Sequence, residues 1–351
     1  PLSTSTPCML MRGGTSKGPF FLGSHLPADP AERNTVLLKI MGSPDARQID
    51  GIGGAHPLTS KVAIVSASTQ EDCDVDYLFL QVTPDTGAVS DSQNCGNMLA
   101  AVGPFAVERG LVPAQNGQTT VRVYMVNSTS YADLIVETPD GVVTYEGDAR
   151  IDGVPGSHAP VIQNYYGTAG AQCGALLPTG NQIDVIDATD VTLIDNGMPS
   201  VILRASDFGL SGYETPEELE ANAELKARLE AIRLKAGPLM GLGDVSDQTI
   251  PKMCLIAPPQ GSEIISTRTF IPHRVHDAVG VLAAASDAAA CMLPESVAKG
   301  IARFEQSNPC RVDVGHPTGV LTVELEWEDG TVVRTGLLRT ARKLMDGFVF
   351  T

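Results

Sequence analysis

The sequence is poor in several things that commit a chain to a function class. It carries one Trp in 351 residues, 24 Lys and Arg against 41 Asp and Glu, and a formal net charge of -17. Nucleic acid and anionic membrane surfaces demand a basic footprint, which this balance supplies only locally. A small anion is different, because a few converging donors bind it whatever the global charge. The seven cysteines (Cys8, Cys73, Cys95, Cys173, Cys254, Cys291 and Cys310) form no CxxC pair and no closely spaced Cys/His set. That spacing argues against a disulfide framework or a structural zinc site and for reduced thiols in a cytoplasmic protein. No run reaches the roughly 18 apolar residues of a membrane span. The opening PLSTSTPCMLMRGGTSKG has no basic segment followed by an apolar one, so no export is expected.

Glycine (35) and proline (24) are abundant and punctuate many short apolar runs. Residues 62–65, 77–82, 121–126 and 320–325 are β-branched or apolar and bounded by turn formers, which predicts strands, mostly in hairpins. Helices are few. Met98, Ala101, Val102 and Phe105 follow the i, i+3, i+4, i+7 spacing of a helix starting near Asn97, with Pro104 expected to kink or break it. Residues 278–292 are almost entirely small or apolar, the mark of a buried helix. Residues 216–235 run from Pro and acids to Lys and Arg, which predicts one amphipathic surface helix. Leu99-Ala100-Ala101 and Leu282-Ala283-Ala284 overlay as a weak internal repeat. Together with the length, this predicts two similar halves, each a curled sheet around one central helix. The boundary is placed near Pro178, giving domains 1–178 and 179–335 and a tail, 336–351, that returns to the first.

Cys95 stands where polar residues give way to the first helical pattern, in SQNCGNMLAAV. A sulfur at a helix start meets backbone N–H groups without intrahelical partners and the positive end of the dipole, which favours thiolate over thiol. Gly96 beside it admits a ligand close to the backbone, and the same N–H groups suit a carboxylate or enolate oxygen. A merely buried cysteine is the plain alternative; Cys254 and Cys291, without such a setting, read as core. Lys61 opens an apolar strand in HPLTSKVAIV. It reads either as an edge lysine with a solvated head or as a partly buried amine whose burial disfavours the charged form, suited to acid/base work. MRGGTSKG (Met11 to Gly18) is not a phosphate-binding loop of the GxxxxGK[ST] kind, since Ser16 and not glycine precedes Lys17. It remains a turn displaying Arg12, Thr15, Ser16 and Lys17, a carboxylate cradle or a set of solvated charges. In the second half Lys252, Arg268, His273, Arg274, His276 and Thr318 are candidates, with His276 best placed ahead of the buried helix.

MRGGTSKG, MGSPDARQIDGIGGAHPLTSKVAIV, QNCGNM and RTARKLMDG, in that order from Cys8 to the C-terminus, resemble the methylaconitate isomerase (PrpF-like) family. The resemblance implies an α+β, diaminopimelate epimerase-like fold with catalytic residues at Lys61 and Cys95. It implies no metal or organic cofactor. The substrate it implies is a small unsaturated tricarboxylic keto acid such as 4-oxalomesaconate, isomerised during gallate-type aromatic breakdown. The candidate substrate-binding set is Arg12, Gly13, Thr15, Ser16, Lys17, Ser60, Asn94, Gly96, Asn97, Arg268, His276 and Thr318. Racemases of this fold use two cysteines, one at each central helix. Here the repeat sets Cys95 opposite Ala278, so a two-thiol racemase is not expected. A lysine and a cysteine from one half would instead move a proton between two atoms of one substrate. The rivals are 2-methylaconitate cis-trans isomerisation and, remotely, a non-catalytic carboxylate-binding protein. Nothing in the sequence separates a monomer from a homo-oligomer.

Overall fold

The computed structural model describes residues 4–92 and 94–351; Gln93 of the QNCGNM motif lies outside the described residues. The chain divides into two compact units, one running to Asn164 and completed by Leu338–Thr351, the other Tyr165–Leu337.

The first unit contains β1 (Ser5–Gly13), β2 (Ser16–Leu22), α1 (Pro30–Met41), β3 (Lys61–Ala67), β4 (Val75–Val82), β5 (Val89–Ser90), α2 (Gly96–Glu108), β6 (Gly117–Met125), β7 (Ser130–Thr138) and β8 (Pro160–Tyr165). Its strands follow the order β1-β2-β3-β4-β6-β7-β8 and continue into the chain's last strand. The last strand pairs antiparallel with β1, from Ser5 opposite Phe350 to Gly13 opposite Ala341, and closes the ring. The alternation of β7, with Ala132, Leu134 and Val136 buried between half-buried neighbours, shows one face turned inward. Helix α2 fills that interior. Residues 98–106 of it are all buried, and Phe105 meets Phe20 of β2 with ring centroids 5.7 Å apart. Each such fully buried large apolar side chain contributes about 1.5–3 kcal/mol by leaving water. Helix α1 lies on the outer side, joining Leu37, Ile40 and Met41 to Val62, Ile64 and Leu80.

The second unit contains β9 (Asp184–Ile186), β10 (Thr189–Asp195), β11 (Pro199–Arg204), α3 (Pro216–Glu220), α4 (Ala223–Leu239), β12 (Lys252–Ala257), β13 (Ile265–Phe270), α5 (Val281–Met292), β14 (Cys310–His316), β15 (Gly319–Glu328) and β16 (Thr331–Phe350). Its order is β9-β10-β11-β12-β13-β14-β15-β16. Helix α5 is its counterpart of α2, buried from Ala283 to Cys291. β16 supplies its first residues to this unit and its later ones to the first.

Three details depart from the sequence expectations. Helix α2 runs unbroken through Pro104, because the residue is locked among buried neighbours and packing overrides the lost N–H. Residues 216–235 form two helices, not one. Thr215 caps the first by accepting from Glu218 N, and Asn222 caps the second by accepting from Leu225 N, so the chain restarts at Asn222. The units part after Asn164, ahead of the expected residue 178. Residues 165–178 are tied into the second unit because Asp195 accepts from the backbone N–H groups of Gln172 and Cys173, each at 2.8 Å. The tail begins at Leu338 and, as β16, becomes a strand of the first unit.

Candidate active site

Three elements of the first unit converge at the N-terminal end of α2. Cys95 is the N-cap, with extended backbone, and its Sγ accepts from Met98 N at 3.4 Å, the position an N-cap oxygen normally takes. Lys61 is the first residue of β3 and lies between β2 and β4, so it is not an edge residue. Only 9% of it is exposed, against 7% of Cys95. Its Nζ donates to Cys95 Sγ at 3.3 Å and to Ser16 Oγ at 3.0 Å. Ser16, the first residue of β2, completes the triangle at 3.9 Å from the sulfur. Among the described residues no carboxylate forms an ion pair with Lys61 within 4.0 Å. A buried lysine with a thiol and a hydroxyl as its polar neighbours is arranged for proton exchange rather than for a structural ion pair.

The surrounding backbone explains the glycines. Gly14, at φ 52°, lies where a Cβ would fall 2.1 Å from Asn97 Oδ1, and a Cβ on Gly18 would fall 1.7 Å from the Lys61 carbonyl oxygen. Asn97 Oδ1 accepts from Thr15 N and from Arg339 Nη1, both at 3.3 Å, which ties the β1–β2 turn and β16 to the helix start. Gln163 Nε2 donates to Gly96 O at 2.6 Å, and Tyr77 OH donates to Cys95 O at 3.1 Å.

Of the sequence candidates, the structure gathers Lys61, Cys95, Ser16, Thr15, Gly13, Gly96 and Asn97. Ser60 is fully buried; it accepts from Gln48 Nε2 at 2.8 Å and donates to Val82 O at 2.7 Å, so its hydroxyl holds the segment before Lys61. Asn94 donates to Ser128 Oγ. Arg12 and Lys17 are not brought to the thiol. They are cross-strand partners, and strand alternation turns Lys17 away from its neighbour Ser16 and Arg12 away from Gly13, which faces the helix. The carboxylate cradle expected of the whole turn is therefore split between two faces.

In the second unit Arg268 gives Nε to Glu214 O at 2.7 Å and Nη1 to Thr267 O at 2.8 Å. His276 Nδ1 accepts from Ala278 N at 2.9 Å, and burial holds its imidazole below the usual value. Thr318 Oγ1 donates to the adjacent Asp277 O at 3.1 Å, which joins the two loops. Lys252, like Lys61 the first residue of its strand, is pushed down to about 8 by burial and then by Arg233. Helix α5 is capped by Gly280, not Ala278, and carries no cysteine at its start. Cys254 and Cys291 are buried core residues. Among the described residues no three His, Cys, Asp or Glu side chains cluster as metal ligands, and no helix is long and apolar enough to cross a membrane.

Tyr77, Gln163 and Arg339 escaped the sequence reading. A tyrosine inside an apolar strand signals a hydroxyl that needs a buried partner, and Arg339 belongs to the RTARKLMDG stretch.

Two units that each wrap strands beside a buried central helix, with a capping cysteine facing a strand lysine in one of them, define an isomerase-type scaffold. The fold is that of the diaminopimelate epimerase and proline racemase class. A hydroxyproline epimerase from Agrobacterium vitis superposes with a TM-score of 0.56 at 13% identity, over 99% of this chain and 92% of that one. The family description "PrpF protein" matches residues 3–351, and the chain belongs to that family. It is 57% identical to the (4E)-oxalomesaconate Delta-isomerase of Novosphingobium sp. (strain KA1), over 99% of this chain and 97% of the relative. It is 56% identical to the 4-oxalomesaconate tautomerase of Pseudomonas putida, over 99% and 96%. The crystal structure of a methylitaconate Δ-isomerase superposes with a TM-score of 0.91 at 37% identity, over 99% and 96%.

Proposed function

We propose that the protein is a cofactor-independent isomerase of an unsaturated tricarboxylic keto acid, 4-oxalomesaconate before others, in gallate-type aromatic breakdown in the cytoplasm. The observation that carries the reading is the buried contact of Lys61 Nζ with Cys95 Sγ at 3.3 Å, in a chain 57% and 56% identical to two relatives named for 4-oxalomesaconate.

In this reading Lys61 removes a proton from a carbon conjugated with a carbonyl. The electron pair spreads into an extended dienolate, and Cys95 returns a proton at another atom of the same system. Because the two groups touch, they act as one coupled donor and acceptor, and the proton count of the pair matters more than either group alone. Ser16 holds the amine in place. Thr15, Gly96 and Asn97 supply donors at the helix start for a carboxylate or the enolate oxygen, where fixed N–H groups stabilise developing charge. Arg12 and Lys17 have no part in this step.

The names of the two relatives differ on the outcome, a double-bond shift in one and a tautomerisation in the other. Proton NMR of 4-oxalomesaconate in D₂O decides it. Deuterium at one carbon with a displaced double bond marks the allylic shift, and interconversion of keto and enol forms marks tautomerisation. Turnover of 2-methylaconitate but not of 4-oxalomesaconate would transfer the assignment to the methylaconitate reaction.

A further inference from the structure

The face of the first unit opposite the Lys61–Cys95 cluster carries a second concentration of positive charge. In the paired register Lys17 of β2 stands opposite Arg12 of β1, and Arg12 stands opposite Arg342 of β16. Cross-strand partners share a face and adjacent strands are about 4.8 Å apart, so the three cations form one row. The Arg12 Nη1 group donates to neutral acceptors, Gly14 O at 2.9 Å and Thr340 O and Oγ1 at 3.1 Å. Its Nη2 is buried without a hydrogen-bond partner. Among the described residues none of the three cations has a carboxylate within 4.0 Å.

Beside the row lies a cavity of about 620 Å³, lined among others by Arg342, His158, Ser157, Tyr145 and Lys343. The size falls in the small-molecule range of roughly 300–1,000 Å³. Lys343 is already paired with Glu108 at 2.6 Å, and Glu146 at the wall is exposed, so Arg342 is the free cation of the lining. The charges feel one another. The Arg12 guanidinium is lowered to about 10 by burial and by Arg342, and His158 is held below its usual value by burial, Arg12 and Arg342. An uncharged imidazole there serves as a hydrogen-bond donor.

We propose that this cavity is a second anion site, separate from the reaction site. In it Arg342 and His158 contact a compact multivalent oxyanion, a phosphate or a polycarboxylate, with Arg12 and Lys17 supplying field from the same row. Guanidinium groups match such oxyanions in a bidentate fork.

The test is calorimetric titration of the full chain with inorganic phosphate and, separately, with citrate. The expected result is one anion per chain, with affinity weakened at least tenfold by the exposed-site substitution Arg342→Ala and unchanged by Lys61→Met. Isomerase turnover of Arg342→Ala should stay at the wild-type level. Preference for phosphate over citrate, or the reverse, identifies the source of the oxyanion. Absence of millimolar binding by both anions, binding unaffected by Arg342→Ala, or binding lost in Lys61→Met would each overturn the proposal.

Discussion

Lys61 Nζ lies 3.3 Å from Cys95 Sγ, joining the first residue of a central strand to the N-cap of the helix that the strands enclose. Both residues are held by packed elements of the first unit. β3 sits between two other strands, and α2 is buried along nine consecutive residues. A contact fixed in this way needs little reorganisation when a proton moves.

Removing the amine should therefore remove the reaction and spare the fold. Lys61→Met is expected to lower kcat by about 10²- to 10⁴-fold, the usual worth of a general acid or base, with little change in the urea midpoint. Cys95→Ser should lose less, because a hydroxyl still accepts from Met98 N and can relay a proton. Steady-state kinetics beside urea unfolding distinguishes the two effects.

Tyr77 OH donates to the Cys95 carbonyl at 3.1 Å, a contact suited to a positioning role for Tyr77. Tyr77→Phe deletes the hydrogen bond to the Cys95 carbonyl and should cost about 1–3 kcal/mol of stability. It should lower kcat several-fold while leaving KM near the wild-type value. A rise in KM without a fall in kcat would contradict that role.

Gly18→Ala places a methyl 1.7 Å from the Lys61 carbonyl oxygen. Backbone must move, and the expected loss is at least the roughly 1–3 kcal/mol of core overpacking, accompanied by loss of turnover because the displaced atom belongs to Lys61, the proposed base. Urea unfolding and initial rates measured on the same preparation check both halves of this expectation.

Asp287 on α5 gives a pH signature to the second unit. The residue is 1% exposed, and burial raises its carboxyl to about 7, with the neighbouring Cys254 thiol opposing that rise. The facing thiols of Cys254 and Cys291 are themselves pushed up by burial. The folded protein thus holds this proton between the ordinary carboxyl value near 3.8 and about 7, while the unfolded chain releases it. Its contribution to stability is complete below 3.8 and is lost as pH rises through 7. Asp287→Asn should consequently gain stability relative to wild type as pH goes from 5 to 8. A difference in unfolding free energy that stays constant over that range would show the carboxyl ionises as easily folded as unfolded.

Much of this architecture was legible in local signals. Strands declared themselves through β-branched runs between glycines, and the two central helices through uninterrupted small and apolar residues, because burial on all sides leaves no polar face to write. Cys95 and Lys61 were legible for a related reason: each interrupts a pattern, a thiol at a helix start and a cation at the head of an apolar strand. Faces were harder. Whether Ser16 or Lys17 points at the helix depends on the register of β2 against β1 and β3, a nonlocal fact that a turn sequence does not carry. The same holds for Asn222, whose capping of a second helix competes with a charge pattern that reads as one. Arg12 and Arg342 are 330 residues apart in sequence and opposite one another in the ring, a relationship that only strand closure creates.

In the proposed reaction the Lys61–Cys95 pair moves a proton within one substrate. Proton NMR of 4-oxalomesaconate in D₂O, with wild type and with Lys61→Met at equal concentration, tests it most directly. Wild type should give rapid, site-selective deuterium uptake and a new isomer, and Lys61→Met neither. Uptake at the wild-type rate in Lys61→Met would contradict it.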